Sequence, residues 1–381
     1  MESMEEKIPE SNGQALHHFV TNSPWDERAV LQQIAKEADA LIGGTKDTCF
    51  LIDESSFTKK GPKSVGVSRQ YSGRSGKIDN CQVAVFGALV AGDKSIPLDH
   101  RLYLPREWIE DSARCEAAGI PADKIVLKTK CKQAIEIIQT AKENGVRFNW
   151  VGADAGYGKD PGFLGDLYDL DVQFVVDVHK NQLVYQVDPN DVKSKPMRLD
   201  KWVSQQAEEA WVTISPRNCT KGKLIFEYVH GKFWIKASHE EDYREVRVIV
   251  RRSVNTKTDH KYSVSNVADS ISLKRFAYMQ GQRFWIERAF EDAKGELGMA
   301  EYQLRKWRGW HHHMCLVALA HLFLLRERIH NAEAVPLLSV RDIVTLLSFY
   351  LPARDTTEKE LFRQLAVRHR KRQREIDRGK D

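Results

Sequence analysis

Apolar positions along this chain fall into two alternating patterns. Compact apolar runs at residues 48–53, 81–91, 96–104, 148–154 and 172–178 predict buried strands. Residues 27–41, 131–143 and 162–170 instead repeat their apolar positions at helical spacing. Punctuation agrees with those boundaries. Asn22-Ser23-Pro24 precedes the first helix, Gly92-Asp93 makes a turn between two strands, and Asn144-Gly145 closes the second helix. The Gly/Ser/Lys-rich stretch 55–78 reads as a loop. From 180 to 268 the texture becomes β-rich, with short strand candidates at 183–187, 211–215, 224–230, 233–237 and 246–251. His230-Gly231 fits a hairpin turn between two of these. Helical spacing returns at 272–297, 310–329 and 339–350, and a last helix at 358–376 runs into a basic tail. The pattern predicts an α/β fold: a mixed sheet core, a β-rich insertion and a helical C-terminal region. The chain shows no internal repeat.

Composition narrows the class without naming a function. The 381 residues carry 58 Lys+Arg against 53 Asp+Glu, a formal net charge of +5, with 42% hydrophobic residues. This is globular composition, and its charge alone does not declare a nucleic-acid protein. The longest apolar stretches, 81–92 and 314–325, fall short of the roughly twenty residues that span a bilayer. The acidic first ten residues lack the apolar segment of a signal peptide. Six scattered cysteines without a C-x-x-C pair argue against a disulfide framework or structural zinc site and point to a reducing, cytoplasmic setting. The charge itself is uneven. Residues 1–47 hold nine acids and four bases, 55–78 hold six bases and no acid, and 368–381 hold seven bases and three acids. The last block suits either solvation or nucleic-acid contact.

Two predicted strands end on a carboxylate, at Asp53 and at Asp154, the second followed by small residues that permit close backbone approach. Such an Asp either caps a turn or serves as a metal or catalytic ligand. A third element adds polar residues: at about 100° per residue, Arg283, Glu287 and Lys294 fall within roughly 40° of one another on one helical face. An ordinary surface helix with i,i+4 ion pairs has the same spacing. Together, Asp53, Asp154 and Glu287 would make an oxygen-only set suited to Mg²⁺ or Mn²⁺. Two such ions can serve phosphodiester displacement, with Arg283 and Lys294 on phosphate. Paired carboxylates also serve glycoside hydrolysis, but six bases directly after Asp53 favour a polyanion. Arg305-Lys306-Trp307-Arg308-Gly309-Trp310 interleaves bases with aromatics and suits phosphate contact. His311-His312-His313 point three ways on a helix and cannot ligate one ion together.

Several stretches carry a family resemblance: FLIDESSFTKKGPKSVGVSRQYSGRSGKIDNCQVAV (50–85), LYLPREW (102–108), GADAGYG (152–158) and RFWIERAFEDAKGELGMAEYQLRKWRGWHHH (283–313). The sequence resembles the DDE-superfamily transposases of bacterial insertion sequences, in the cut-and-paste subgroup with a Y-x2-R-x3-E-x6-K signature. The resemblance implies that Asp53, Asp154 and Glu287 are the acidic triad on a ribonuclease-H-like core, binding two Mg²⁺ or Mn²⁺ ions. It also implies that 180–268 is the β insertion of that subgroup. Arg283, Glu287 and Lys294 match the signature in register, whereas its tyrosine position is Gln280 here, with Tyr278 two residues earlier. Glu54 stands where relatives often have a second Asp. Relatives generally carry a longer helical region before the core than the 47 residues seen here.

The division expected is a short N-terminal helical remnant (1–47), the first part of the catalytic core (48–179), the β-rich insertion (180–268), the helices around Glu287 (269–330), and C-terminal helices with the basic tail (331–381). The activity expected is metal-dependent hydrolysis at transposon ends followed by 3′-hydroxyl attack on target DNA. Lys59, Lys60, Arg69 and Arg74 would line the approach, with Arg305, Lys306 and Arg308 as further DNA contacts. A homodimer is expected in the DNA complex, because two ends are cut and joined together, with no membrane partner and no small-molecule cofactor. Two other readings are a catalytically silent DNA-binding remnant and a metal-dependent nuclease unconnected with mobility.

Overall fold

The computed structural model describes residues 8–9, 11–73, 75–191, 193–219, 222–352 and 357–378. Two helices open it, α1 (Gly13–Thr21) and α2 (Glu27–Ile42), started by the Asn12 and Asp26 side chains, each of which accepts two backbone N–H groups. Strand β1 (Thr48–Thr58) follows, then β2 (Ser68–Ser72), β3 (Lys77–Ala91) and β4 (Lys94–Leu102). Helix α3 (Lys130–Glu143) leads to β5 (Trp150–Ala153), and α4 (Pro161–Asp169) leads to β6 (Phe174–Val178). Asp160 caps α4, and Pro161 sits in the first turn, where its missing N–H has no helical partner to lose.

One sheet runs in the order β2-β3-β1-β5-β6-β12-β11-β10-β9, with β4 on the edge beside β3. Its last strands are β9 (Val212–Cys219), β10 (Gly222–Lys236), β11 (Tyr243–Ser253) and β12 (His260–Ser265). The pairs β1–β5 and β5–β6 are parallel and the others antiparallel. A small pair, β7 (Leu183–Val184) with β8 (Met197–Arg198), lies apart from it. The region expected as an insertion therefore extends the central sheet, because β12 pairs directly with β6. His230-Gly231 is not a turn. Both residues lie within the uninterrupted pairing of β10 with β11, so the two short strands expected there are one long strand. The basic stretch read as loop is partly strand, because β1 continues to Thr58 and β2 pairs with β3.

Helices cover both faces of the sheet. Leu31, Ile34 and Ala38 of α2, Ile137 and Ile138 of α3, and Phe163 and Leu167 of α4 pack on one face with Phe50, Ile52, Val151 and Val176. The other face takes α5 (Leu273–Gly281), α6 (Phe284–Glu296) and part of α7 (Trp307–His330), through Phe276, Ile286, Phe290 and Trp310. The single helix expected over 272–297 is broken at Gln282-Arg283, where the chain starts afresh as α6. Helix α8 (Val340–Tyr350) carries a capping box at Ser339 and Asp342 and rests on Leu324 through Val340 and Ile343. Helix α9 (Glu358–Arg378) ends the described chain. Gly87 is required where β3 passes under α3, since a Cβ there would lie 2.4 Å from Ile137 Cγ2. No described helix is long and apolar enough to cross a membrane.

Candidate active site

Register places the carboxylates. Ile52 of β1 pairs with Ala153 of β5, and Ala153 pairs with Val176 of β6. The next residue on each strand is an aspartate, so Asp53, Asp154 and Asp177 lie side by side where three parallel-paired strands reach one edge of the sheet. Asp53 Oδ1 accepts the Glu54 N–H at 2.7 Å, and Asp154 Oδ1 accepts the Gly156 N–H at 2.9 Å, capping the short helix Ala155–Gly158. The capping role considered for a strand-end Asp is thus real for Asp154, and it leaves the second carboxylate oxygen available. Gly158 lets this turn lie against β6, because a Cβ there would come within 2.0 Å of the Asp177 carbonyl oxygen.

Arg283, at the break between α5 and α6, reaches into this row. Its Nη1 lies 3.3 Å from Asp53 Oδ2, its Nε 3.0 Å from Asp177 Oδ2, and its Nη2 pairs with Glu287 one turn along α6. Glu287 is half exposed, whereas Asp53 and Asp177 are largely covered. Burial pushes the Asp53 carboxyl up to about 7; Arg283 opposes this, and neighbouring Asp154 and Glu287 add to it. Burial acts against the Arg283 charge, but Asp177, Asp53, Glu287 and Asp154 outweigh it and raise its pKa. Among the described residues, no three His, Cys, Asp or Glu side chains are gathered closely enough to hold a metal ion. The structure brings Asp53, Asp154 and Glu287 into one neighbourhood, joined through a guanidinium.

Asp177 was not anticipated. The signal was present: it interrupts the apolar run 174–178 at the same strand-end position as Asp53 and Asp154. Its Oδ1 accepts from Ser263 Oγ at 2.6 Å, and its Oδ2 also meets Lys261 Nζ at 2.8 Å. Ser263 Oγ in turn accepts from Gln280 Nε2 at 2.9 Å. Gln280 is 2% exposed, so it supports Arg283 from behind through Ser263 and Asp177 and does not face a substrate. Tyr278 lies away from the carboxylates, against Trp150 and Arg275. Glu54 points aside and pairs with Lys130.

The basic residues divide. Lys59 does not line an open approach: its Nζ donates to the Tyr302 carbonyl at 3.2 Å and sits 3.6 Å from that ring's centre, and burial pushes its pKa down to about 8. Lys294 lies over the Phe57 and Phe290 rings. Lys60, Arg69, Arg305, Lys306 and Arg308 are exposed. Arg74 lies outside the described residues. Two basic stretches far apart in sequence become neighbours, because the Val65 N–H donates to the Arg305 carbonyl at 2.8 Å, and Gln82 links Val65 to Tyr302. His311, His312 and His313 each bond a different backbone carbonyl, of Trp307, Val20 and Gly298, and act as fasteners within the helical layer.

A family profile described as "DDE superfamily endonuclease" matches residues 1–208, and one described as "Transposase DDE domain" matches residues 128–323. The chain belongs to the DDE-superfamily transposases of insertion sequences. This transposase is similar to the probable transposase for insertion sequence element IS701 of Microchaete diplosiphon, at 29% identity over 299 residues, 77% of this chain and 69% of that protein. Among solved structures, the NurA nuclease from Sulfolobus solfataricus aligns with a TM-score of 0.31 and 9% identity, over 74% of the transposase and 92% of that chain. A superposition that loose carries no weight here.

Proposed function

We propose that the transposase hydrolyses phosphodiester bonds at transposon ends and joins the freed 3′-hydroxyl to target DNA, with Asp53, Asp154 and Glu287 as its catalytic carboxylates. The observation that carries this reading is the placement of Asp53 and Asp154 on adjacent parallel strand ends, spanned to Glu287 by Arg283. The order β4-β3-β1-β5-β6, three antiparallel strands followed by two parallel ones, supports a ribonuclease-H-like core for it. A homodimer in the DNA complex follows from the need to handle two ends at once.

The donor set suits a hard divalent cation. It consists of oxygens alone, and the crowding that raises Asp53 is one that a dication relieves. Asp53 and Asp154 would hold Mg²⁺ or Mn²⁺, with Glu287 completing a shell once it turns from Arg283. Bound there, the ions supply activation of a water or 3′-hydroxyl and stabilisation of the leaving oxygen. The protein's own part is positional and electrostatic. Arg283 neutralises phosphate charge beside the carboxylates, and Asp177, braced by Ser263, fixes its direction. The exposed Lys60, Arg305, Lys306 and Arg308 receive the flanking backbone. Asp154→Asn tests the assignment: it should abolish Mg²⁺-dependent cleavage of end DNA while leaving DNA affinity unchanged, and retained cleavage would falsify the triad.

A further inference from the structure

Helix α9 (Glu358–Arg378) contributes nothing to the packed body: none of its side chains among the described residues is buried. A solvated helix of this length needs a partner to be held in place, since propensity alone leaves it marginal. Its residues sort into two opposed faces. At about 100° per residue, Lys359, Arg363, Arg370 and Arg374 fall within an arc of roughly 60°. Leu361, Phe362, Leu365 and Ile376 occupy the opposite side, with Phe362 61% exposed. Lys359, Arg370 and Arg374 are fully in solvent, and Arg363 is steadied by Glu360. The apolar side has an exposed counterpart in Leu346, Phe349 and Tyr350 of α8. If these apolar surfaces close on each other, the cations stay turned outward.

We infer that α9 is a DNA-contacting arm whose basic stripe lies along the phosphodiester backbone, separate from the basic surface beside the carboxylates. The stripe runs 15 residues, about 22 Å at 1.5 Å per residue, which matches roughly six phosphates of one strand. Charge complementarity chooses this occupant: a transposase meets DNA, and a one-sided row of long cationic side chains suits a linear polyanion. The contact is sequence-independent. It strengthens binding of any duplex and adds to the salt dependence of that binding.

The inference rests on DNA as the substrate, and the experiment separates the two. Binding of end DNA by the full chain is measured over a range of KCl concentrations, for wild type and for Lys359→Gln, Arg370→Gln and Arg374→Gln combined. Gln keeps helix propensity, so the arm stays helical. The slope of log affinity against log salt should fall in magnitude by about 2.7, near 0.9 per cation. The charge-preserving set Lys359→Arg, Arg370→Lys and Arg374→Lys should keep the wild-type slope. A neutralised chain with the wild-type slope overturns the arm. So does a neutralised chain that instead loses self-association or binding to anionic vesicles, which would make a second copy or a lipid surface the occupant. A wild-type chain that binds no DNA overturns the function proposed above as well.

Discussion

Asp53 is held where its charge is disfavoured, so the metal-free protein should be more stable without that charge. Moving the carboxyl from its ordinary 3.8 to about 7 corresponds to about 4 kcal/mol of native-state penalty on the charged form. Asp53→Asn lifts the penalty but weakens the contact with Arg283, and a hydrogen bond to a charged group contributes about 1.5–3 kcal/mol. The net gain is about 2 kcal/mol above pH 7 in EDTA. The sign follows from proton counts. Between pH 4 and 7 the native state keeps a proton that the unfolded chain has released, so wild-type stability falls as pH rises through this window. Asp53→Asn lacks that contribution. Added Mg²⁺ should then raise the wild-type midpoint and leave the variant nearly unmoved, because the carboxylate is what the ion binds. Urea denaturation at pH 5 and pH 8, with EDTA or Mg²⁺, measures all four states. A variant no more stable than wild type at pH 8 in EDTA would refute the crowding of charge at this site.

Three further outcomes follow from the geometry. Asp177→Asn should slow end cleavage by about 10- to 100-fold at unchanged DNA affinity, since it frees Arg283 from one charge-assisted contact; single-turnover rates decide this, and a wild-type rate would remove Asp177 from the site. Gly158→Ala should destabilise the chain by about 1–3 kcal/mol in urea, because the added methyl meets the Asp177 backbone and not a movable side chain. Lys59→Gln should leave the salt slope of DNA binding unchanged, whereas Arg305→Gln, Lys306→Gln and Arg308→Gln together should lower it by about 2–3. Equal effects from the two would show that Lys59 reaches the backbone after all.

Much of the sheet was legible because its strands are apolar runs ending in small or polar residues. β1, β3 and β5 are buried over most of their lengths, so burial and sequence report the same thing. β10 was misjudged because His230-Gly231 has turn chemistry. Gly231 instead makes room for aromatic packing, since a Cβ there would lie 2.7 Å from Phe233 and 2.9 Å from Trp202. The joining of β12 to β6 was not legible, because pairing between strands distant in sequence leaves no periodic mark. Lys59 misled for a related reason. It belongs to a basic run, yet the Tyr302 that covers it is 243 residues away. Local composition described the neighbourhood's charge and not which members face outward.

The same non-local effect explains the departure at the signature tyrosine position. Gln280 is buried against β11 and β12, and its amide donates to Ser263, which donates to Asp177. Asp177 then divides its other oxygen between Lys261 and Arg283. Each donor in that series has its acceptor, so the residue at position 280 fixes the direction of Arg283 at two removes. A chain that uses this position to brace its arginine must find its phosphate contacts elsewhere. Arg283 itself, flanked by the exposed bases that the Val65–Arg305 contact gathers, is where the structure offers them. Glu287 is the carboxylate free to respond. It is half exposed and held by Arg283 alone among its printed contacts, so a phosphate arriving at the guanidinium would release it toward Asp53 and Asp154. Substrate binding and completion of the carboxylate set are in this way one event, centred on a single side chain.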